Sequence, residues 1–168
     1  MIEKTRYSLK MNGESAESVA KELFSITKSA EMVFTDCDVN CIKETIFSGN
    51  VTLTDCSQTT FEDVEFRDLT LMNTEALLTR CTARNIITST SNRVMLFNCN
   101  IRYLNLIVSK EINLLSLLSL LNASKTMGSE VSNDETNKLL AILSHIKGNR
   151  SIFRTKLSLT QAGYKVVL

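Results

Sequence analysis

The chain has 168 residues, 43% of them hydrophobic, enough for one domain with a buried core. Nineteen Lys and Arg against 18 Asp and Glu leave a formal net charge of +1, so neither general polyanion binding nor polyanion mimicry follows from the total. Five cysteines, at positions 37, 41, 56, 81 and 99, are an odd set without metal-ligand spacing, which favours reduced thiols over a disulfide framework.

The first residues, MIEKTRYSLKMNGESAES, lack the apolar stretch of a secretory signal. The longest apolar run, INLLSLLSLL at 112–121, is about half a membrane span. No membrane partner is expected, and the location expected is cytoplasmic, in a cell or an infected host cell. Tyr7, Leu9 and Met11 alternate with polar residues, Asn12-Gly13 offers a turn, and Val19, Ala20, Leu23 and Phe24 share one helical face within 15–27. Residues 1–30 are therefore expected to form a strand-helix cap over an exposed sheet edge.

From Cys41 onward an apolar residue recurs at every fifth position: Cys41, Ile46, Val51, Cys56, Phe61, Phe66, Leu71, Ala76, Cys81, Ile86, Ser91, Leu96, Ile101 and Leu106. Thirteen of these fourteen are apolar, where the composition alone would give about six. The period fits neither a helix nor a flat strand. Two residues before each centre the side chain is mostly small or β-branched, as at Thr54, Thr59, Val64 and Thr74, and the residue just before it is often Asn or Asp, as at Asn50, Asp55, Asn85, Asn100 and Asn105.

This register resembles that of the pentapeptide-repeat family over residues 39–108. The resemblance implies a short right-handed β-helix in which four pentads make a square coil, with the central and the small residue pointing inward. Residues twenty apart would then stack, giving interior columns such as Cys41/Phe61/Cys81/Ile101 and Ile46/Phe66/Ile86/Leu106, while Glu44 and Arg84 break the small-residue rule and are expected to turn outward at corners. The fold expected is mainly β with α appendages: a cap over 1–30, a solenoid of three to four coils over 31–108, and a C-terminal helical module with a short hairpin over 109–168. Cys81 and Cys99 are expected in the core as small hydrophobes.

In the C-terminal part, Ser109 is expected to cap a helix running to about Ala123, whose only polar stripe is Asn113, Ser116, Ser119 and Asn122. So apolar a helix either roofs the last coil or packs against a second copy through Leu114, Leu117, Leu118 and Leu121, and a homodimer is the reading favoured here. The segment 125–133 reads as a polar linker. Ser132 and Glu135 then form a capping box for a helix with Leu139, Leu140, Ile142, Leu143 and Ile146 on one face, ended by Lys147-Gly148. The tail reads as two short strands around Gln161-Ala162-Gly163.

Catalytic chemistry has little to work with: His145 is the single histidine, and no Ser-His-Asp set, phosphate loop or metal cluster is legible. No enzyme activity, metal or cofactor is expected. Charge distribution is more informative. Asp55, Glu62, Asp63, Glu65, Asp68 and Glu75 surround one base, Arg67, whereas Arg80, Arg84, Arg93, Arg102 and Lys110 follow without an acid, so an acidic band beneath a basic one is expected to form a protein-binding surface. Arg150, Arg154, Lys156 and Lys165 make the tail basic and offer an alternative, nucleic-acid-binding role, for which no recognition helix is legible. The family resemblance implies a rigid surface offered to another macromolecule, such as a phage or mobile-element inhibitor offers to a host protein, with a self-assembling structural protein as a third reading.

Overall fold

The computed structural model describes residues 7–9, 31–36, 42–128, 134–145 and 151–168. Its inward-facing side chains follow a simple rule. Within a strand the next inward residue is two positions on, because side chains alternate between faces. At a corner two consecutive side chains turn out and the next inward residue is three positions on. The buried series Val64, Phe66, Leu69, Leu71, Thr74, Ala76, Leu78 and Cys81 shows both steps. Its corners are Arg67-Asp68, Met72-Asn73 and Thr79-Arg80. One strand step and one corner step sum to five, which explains the five-residue register.

The strands that result are β1 (Tyr7–Leu9), β2 (Met32–Thr35), β3 (Ile42–Lys43), β4 (Ile46–Thr54), β5 (Thr59–Glu62), β6 (Glu65–Met72), β7 (Glu75–Thr79), β8 (Thr82–Ser89), β9 (Arg93–Phe97), β10 (Asn100–Ile107), β11 (Glu111–Asn113), β12 (Ser124–Gly128) and β13 (Lys165–Val167). Among the described residues the helices are α1 (Leu114–Ala123), α2 (Asp134–His145) and α3 (Ile152–Gln161). All strand pairs are parallel, in a seven-stranded sheet ordered β1-β2-β4-β6-β8-β10-β12, a four-stranded sheet ordered β3-β5-β7-β9, and the pair β11-β13. The chain is a parallel β-solenoid of about four coils with helical appendages.

Coil length differs from twenty. Phe47 lies beside Phe66, Phe66 beside Ala83, and Ala83 beside Ile101, offsets of 19, 17 and 18 residues. The interior columns are therefore Phe47/Phe66/Ala83/Ile101, Val51/Leu69/Ile86/Leu104, Leu53/Leu71/Thr88/Leu106, Thr59/Ala76/Val94 and Phe61/Leu78/Leu96, rather than those of a square coil. Of the thirteen register centres among the described residues ten are buried, eight of them in succession from Val51 to Ile86; Ile46 and Ser91 are exposed and Leu96 is half-buried. Phe47 stacks on Phe66 at 5.4 Å, and Phe61 meets Phe66 edge-on at 4.9 Å, so aromatic packing fills this part of the core.

Two of the corners recur with left-handed backbone. Asp36, Asp55 and Asn73 form one column, and Glu44, Asp63, Arg80 and Asn98 the other, all with φ between 46° and 57°. Asp and Asn suit this conformation best among residues with a Cβ. After four of these corners, at Asp55, Asn73, Arg80 and Asn98, the next side chain turns in and donates to two carbonyls. The Thr74 hydroxyl donates to Met72 O (2.8 Å) and Leu53 O (3.3 Å), while the thiols of Cys56, Cys81 and Cys99 donate in the same way to carbonyls of their own coil and the one below. These cysteines therefore act as corner-tying donors, not only as small hydrophobes. Glu44 and Arg84 are both exposed, and they lie at different corners.

The top of the solenoid is roofed from within. Asn113, not Ser109, caps α1, its Oδ1 accepting the Ser116 N–H at 3.1 Å. Residues 111–113 form β11 instead of the helix's first turn. The polar stripe of α1 faces the free edge of β9: Ser116 Oγ accepts the Val94 N–H and Ser119 Oγ the Leu96 N–H, each at 2.8 Å, and Ser119 Oγ donates to Leu96 O at 3.3 Å. Without such partners each buried N–H would cost about 1–3 kcal/mol. Most leucines of α1 pack down: Leu114, Leu117 and Leu120 are at most 1% exposed inside the chain, Leu118 and Leu121 are half-buried against the core, and Leu115 is exposed. That corrects the expected dimer surface for Leu114 and Leu117, because the roof already covers them.

The solenoid also runs past 108, since Ser124–Gly128, of which 125–128 are expected as linker, form β12 on the edge of β10. The tail differs as well: its first expected strand is the helix α3. Ser151 caps it, accepting the Arg154 N–H, and Thr155 and Leu159, four apart, are its buried residues, so the Leu157/Leu159 alternation misleads. Gly163, at φ +97°, turns the chain into β13. Tyr164 beside it is buried, its hydroxyl donating to Glu135 O at 3.4 Å. Burial, with Glu135 nearby, raises the Tyr164 pKa. On α2, Thr136, Leu139 and Leu143 are the buried stripe. The expected cap helix at 15–27, Cys37, Cys41, Ser132, Ile146 and the helix stop at Lys147-Gly148 lie outside the described residues. Among the described residues no helix is long and apolar enough to cross a membrane.

Candidate functional site

The expected acidic and basic bands lie on adjacent coils and are tied to each other by ion pairs. At the left-handed corner of the second column they interlock. Arg80 stands one coil above Asp63, with Nε and Nη2 each 2.9 Å from its carboxylate, and Nη2 also bonds Glu62. Lys43, from the coil below, pairs with Glu62 at 2.9 Å. Lys43 and then Arg80 hold the Glu62 carboxyl below its ordinary pKa, Arg80 does the same for Asp63, and both acids raise Arg80. Arg93 faces Glu75 on the neighbouring strand at 3.6 Å, and Asp55 accepts from Asn73 Nδ2 at 2.6 Å. Glu62, Asp63, Arg80, Arg93 and Asp55 are thus partnered within the solenoid itself.

A different arrangement runs up the bent flank of the long strands. Phe66 pairs with Ala83, Ala83 with Ile101, and Ile101 with Ser124; two residues on, Asp68 pairs with Asn85, Asn85 with Tyr103, and Tyr103 with Thr126. The residue between these pairs is Arg67, Arg84, Arg102 and Lys125 in turn. Four exposed cations therefore stand in one column on four consecutive strands, at the inter-strand spacing of about 4.8 Å. Arg67 reaches its neighbour Asp68 at 3.4 Å, and the Arg102 guanidinium lies 5.3 Å over the Tyr103 ring. Arg84 and Lys125 have no ion pair among the described residues. Like charges directly opposite on adjacent strands are unfavourable, so packing alone gives no reason for this column.

The column lines an open cleft of about 720 Å³ that also contains Ile46 and Glu65 at its lower end and Thr82 and Asn100 beside the arginines. Of the sequence-expected residues, Arg84 and Arg102 belong to it, Glu65 and Asp68 border it, and Arg67 and Lys125 were missed. A signal for three of the four was legible: FRDLTL, ARNIIT and IRYLNL begin 17 and 18 residues apart and carry Arg at the same place. The basic tail is dispersed. Arg154 and Lys156 are exposed on α3, Lys165 pairs with Glu111 at 2.7 Å and is raised in pKa by it, and Arg150 lies outside the described residues.

The geometry defines a class, a parallel β-solenoid with a cationic flank. Beyond that class, the chain matches no family model, no curated protein and no solved structure.

Proposed function

We propose that this chain is a non-enzymatic binding protein that offers the flank of its solenoid to another protein. The observation that carries the reading is the column Arg67/Arg84/Arg102/Lys125, in which four like charges are fixed on adjacent strands and, among the described residues, Arg67 alone is ion-paired. A surface that is electrostatically unfavourable in isolation becomes favourable when a complementary partner covers it. Of the strands that carry it, β6, β8 and β10 are hydrogen-bonded along both edges and β12 along one, so little conformational freedom is lost on binding. Occlusion of a partner's surface, as an inhibitor carried by a phage or mobile element would achieve, needs no chemistry from such a scaffold.

The finer likeness to pentapeptide-repeat proteins is one of register: both share steps of two and three, while the coils from Phe47 to Ile101, at 17 to 19 residues, are shorter than four pentads. The alternative of a nucleic-acid-binding tail draws on exposed Arg154 and Lys156, and is weakened by the engagement of Lys165 with Glu111.

The test is affinity purification from the native host with nuclease present, comparing the unmodified protein with Arg84→Glu/Arg102→Glu. One protein at fixed stoichiometry, lost from the charge-reversed variant, is the expected result. Equal recovery by both forms overturns the flank as the working surface.

A further inference from the structure

We infer that the cation ladder takes an acidic polypeptide segment in extended conformation, laid along the solenoid axis across β6, β8, β10 and β12. This rests on the reading of the flank as the binding surface and names the chemistry of what binds there. The four cations span three inter-strand steps, about 14 Å. An extended strand presents side chains on one face every two residues, about 6.8 Å apart, so three alternating carboxylates span nearly the same length. The outer carboxylates then meet the end rungs, Arg67 and Lys125, and the middle one falls between Arg84 and Arg102, whose forked donors match a carboxylate in two-point geometry.

The surroundings favour a polypeptide over a polynucleotide. The ladder is a single column, bordered at its lower end by Glu65 and Asp68, and a uniformly charged phosphate chain would meet both acids. A peptide can place a neutral or apolar residue there, and Ile46, 58% exposed in the same cleft, gives such a residue something to cover. Base stacking also lacks a free platform beside the ladder, because Arg102 lies over the ring of Tyr103, the aromatic that flanks it.

The experiment is fluorescence anisotropy with three probes at near-physiological and low salt: a short labelled peptide alternating Glu and Thr, a peptide of the same composition with its Glu residues in one block, and an oligothymidylate of equal charge. Each is titrated with the unmodified protein, with Arg84→Glu/Arg102→Glu, and with the milder Arg84→Gln/Arg102→Gln, whose circular dichroism reports the fold. The alternating peptide should bind most tightly, weaken with salt, and lose at least about tenfold in affinity in both variants. Tighter, ladder-dependent binding of the oligothymidylate overturns the polypeptide and leaves the flank as a binding surface. Binding of no probe, or binding that the variants leave unchanged, overturns the ladder as an anion site altogether.

Discussion

Arg80 and Arg84 stand four residues apart in one coil, yet the solenoid treats them in opposite ways. Arg80 occupies a left-handed corner directly above Asp63 and bonds both Asp63 and Glu62, the latter shared with Lys43. Arg84 occupies the bend of the long strand, where its neighbours one coil below and above are Arg67 and Arg102. The same side chain is a structural clamp in one column and an unmatched charge in the next. In a solenoid the sign of the residue one coil away decides which, and that residue is 17 to 19 positions distant in sequence.

The largest expected effect concerns the frame that both columns share. Phe66 is 1% exposed between Phe47 and Ala83 and touches two aromatic rings. Phe66→Ala should cost about 3–5 kcal/mol, as large core truncations do, whereas Arg67→Ala, one residue on and facing out, should stay within about 0.5. Equilibrium denaturation measures both. Comparable losses at the two sites would mean that the inside and outside of β6 are misassigned, and the two arginine columns with them.

The second prediction sets the columns against each other and is smaller. Arg84→Gln/Arg102→Gln relieves like-charge crowding, so stability should rise, by up to about 0.5 kcal/mol, and more at low salt. Arg80→Gln leaves Asp63 without its ion pair and Glu62 with Lys43 alone, so stability should fall, again more at low salt. Opposite signs in denaturation at two ionic strengths uphold the contrast. A loss of stability in both variants would show that the ladder arginines also hold the coil together.

Much of this frame is legible in the sequence because steps of two and three are dictated by strand pleat and corner geometry. The run from Val51 to Ile86 keeps the five-residue register without error. What fails is anything that depends on counting whole coils. The face Thr74-Ala76-Leu78 contains one extra strand step, and the face from Ile86 to Leu96 several, so the register slides and Ser91 falls on the surface. The predicted stacking columns go with it, and so does the ladder, whose members align only at the true coil length. The appendages fail for another reason. Ser116 and Ser119 read as the wet stripe of α1, but their hydroxyls finish the edge of β9, and β12 is a strand because β10 presents an unpaired edge to it. Both outcomes are set by a neighbour distant in sequence, which overrides local polarity.

The smallest effect is the sharpest test of the clamp at Arg80. Glu62 and Asp63 have carboxyl groups held below their ordinary range by Lys43 and Arg80. A carboxyl whose folded-state pKa is depressed contributes stability above its unfolded pKa, about 4, and loses it as the pH falls through the folded value. The unmodified protein should therefore lose this stabilisation progressively as the pH falls below about 5. Arg80→Gln removes the main cause of the shift at Asp63 and part of that at Glu62, so its stability should fall less steeply with acid over the same interval. Arg84→Gln/Arg102→Gln touches neither carboxyl and should keep the slope of the unmodified protein. Stability measured by denaturant titration at a series of acid pH values separates the three. If both variants flatten the profile alike, the corner carboxylates respond to net positive charge as a whole, and the distinction between a paired arginine and an unpaired one disappears.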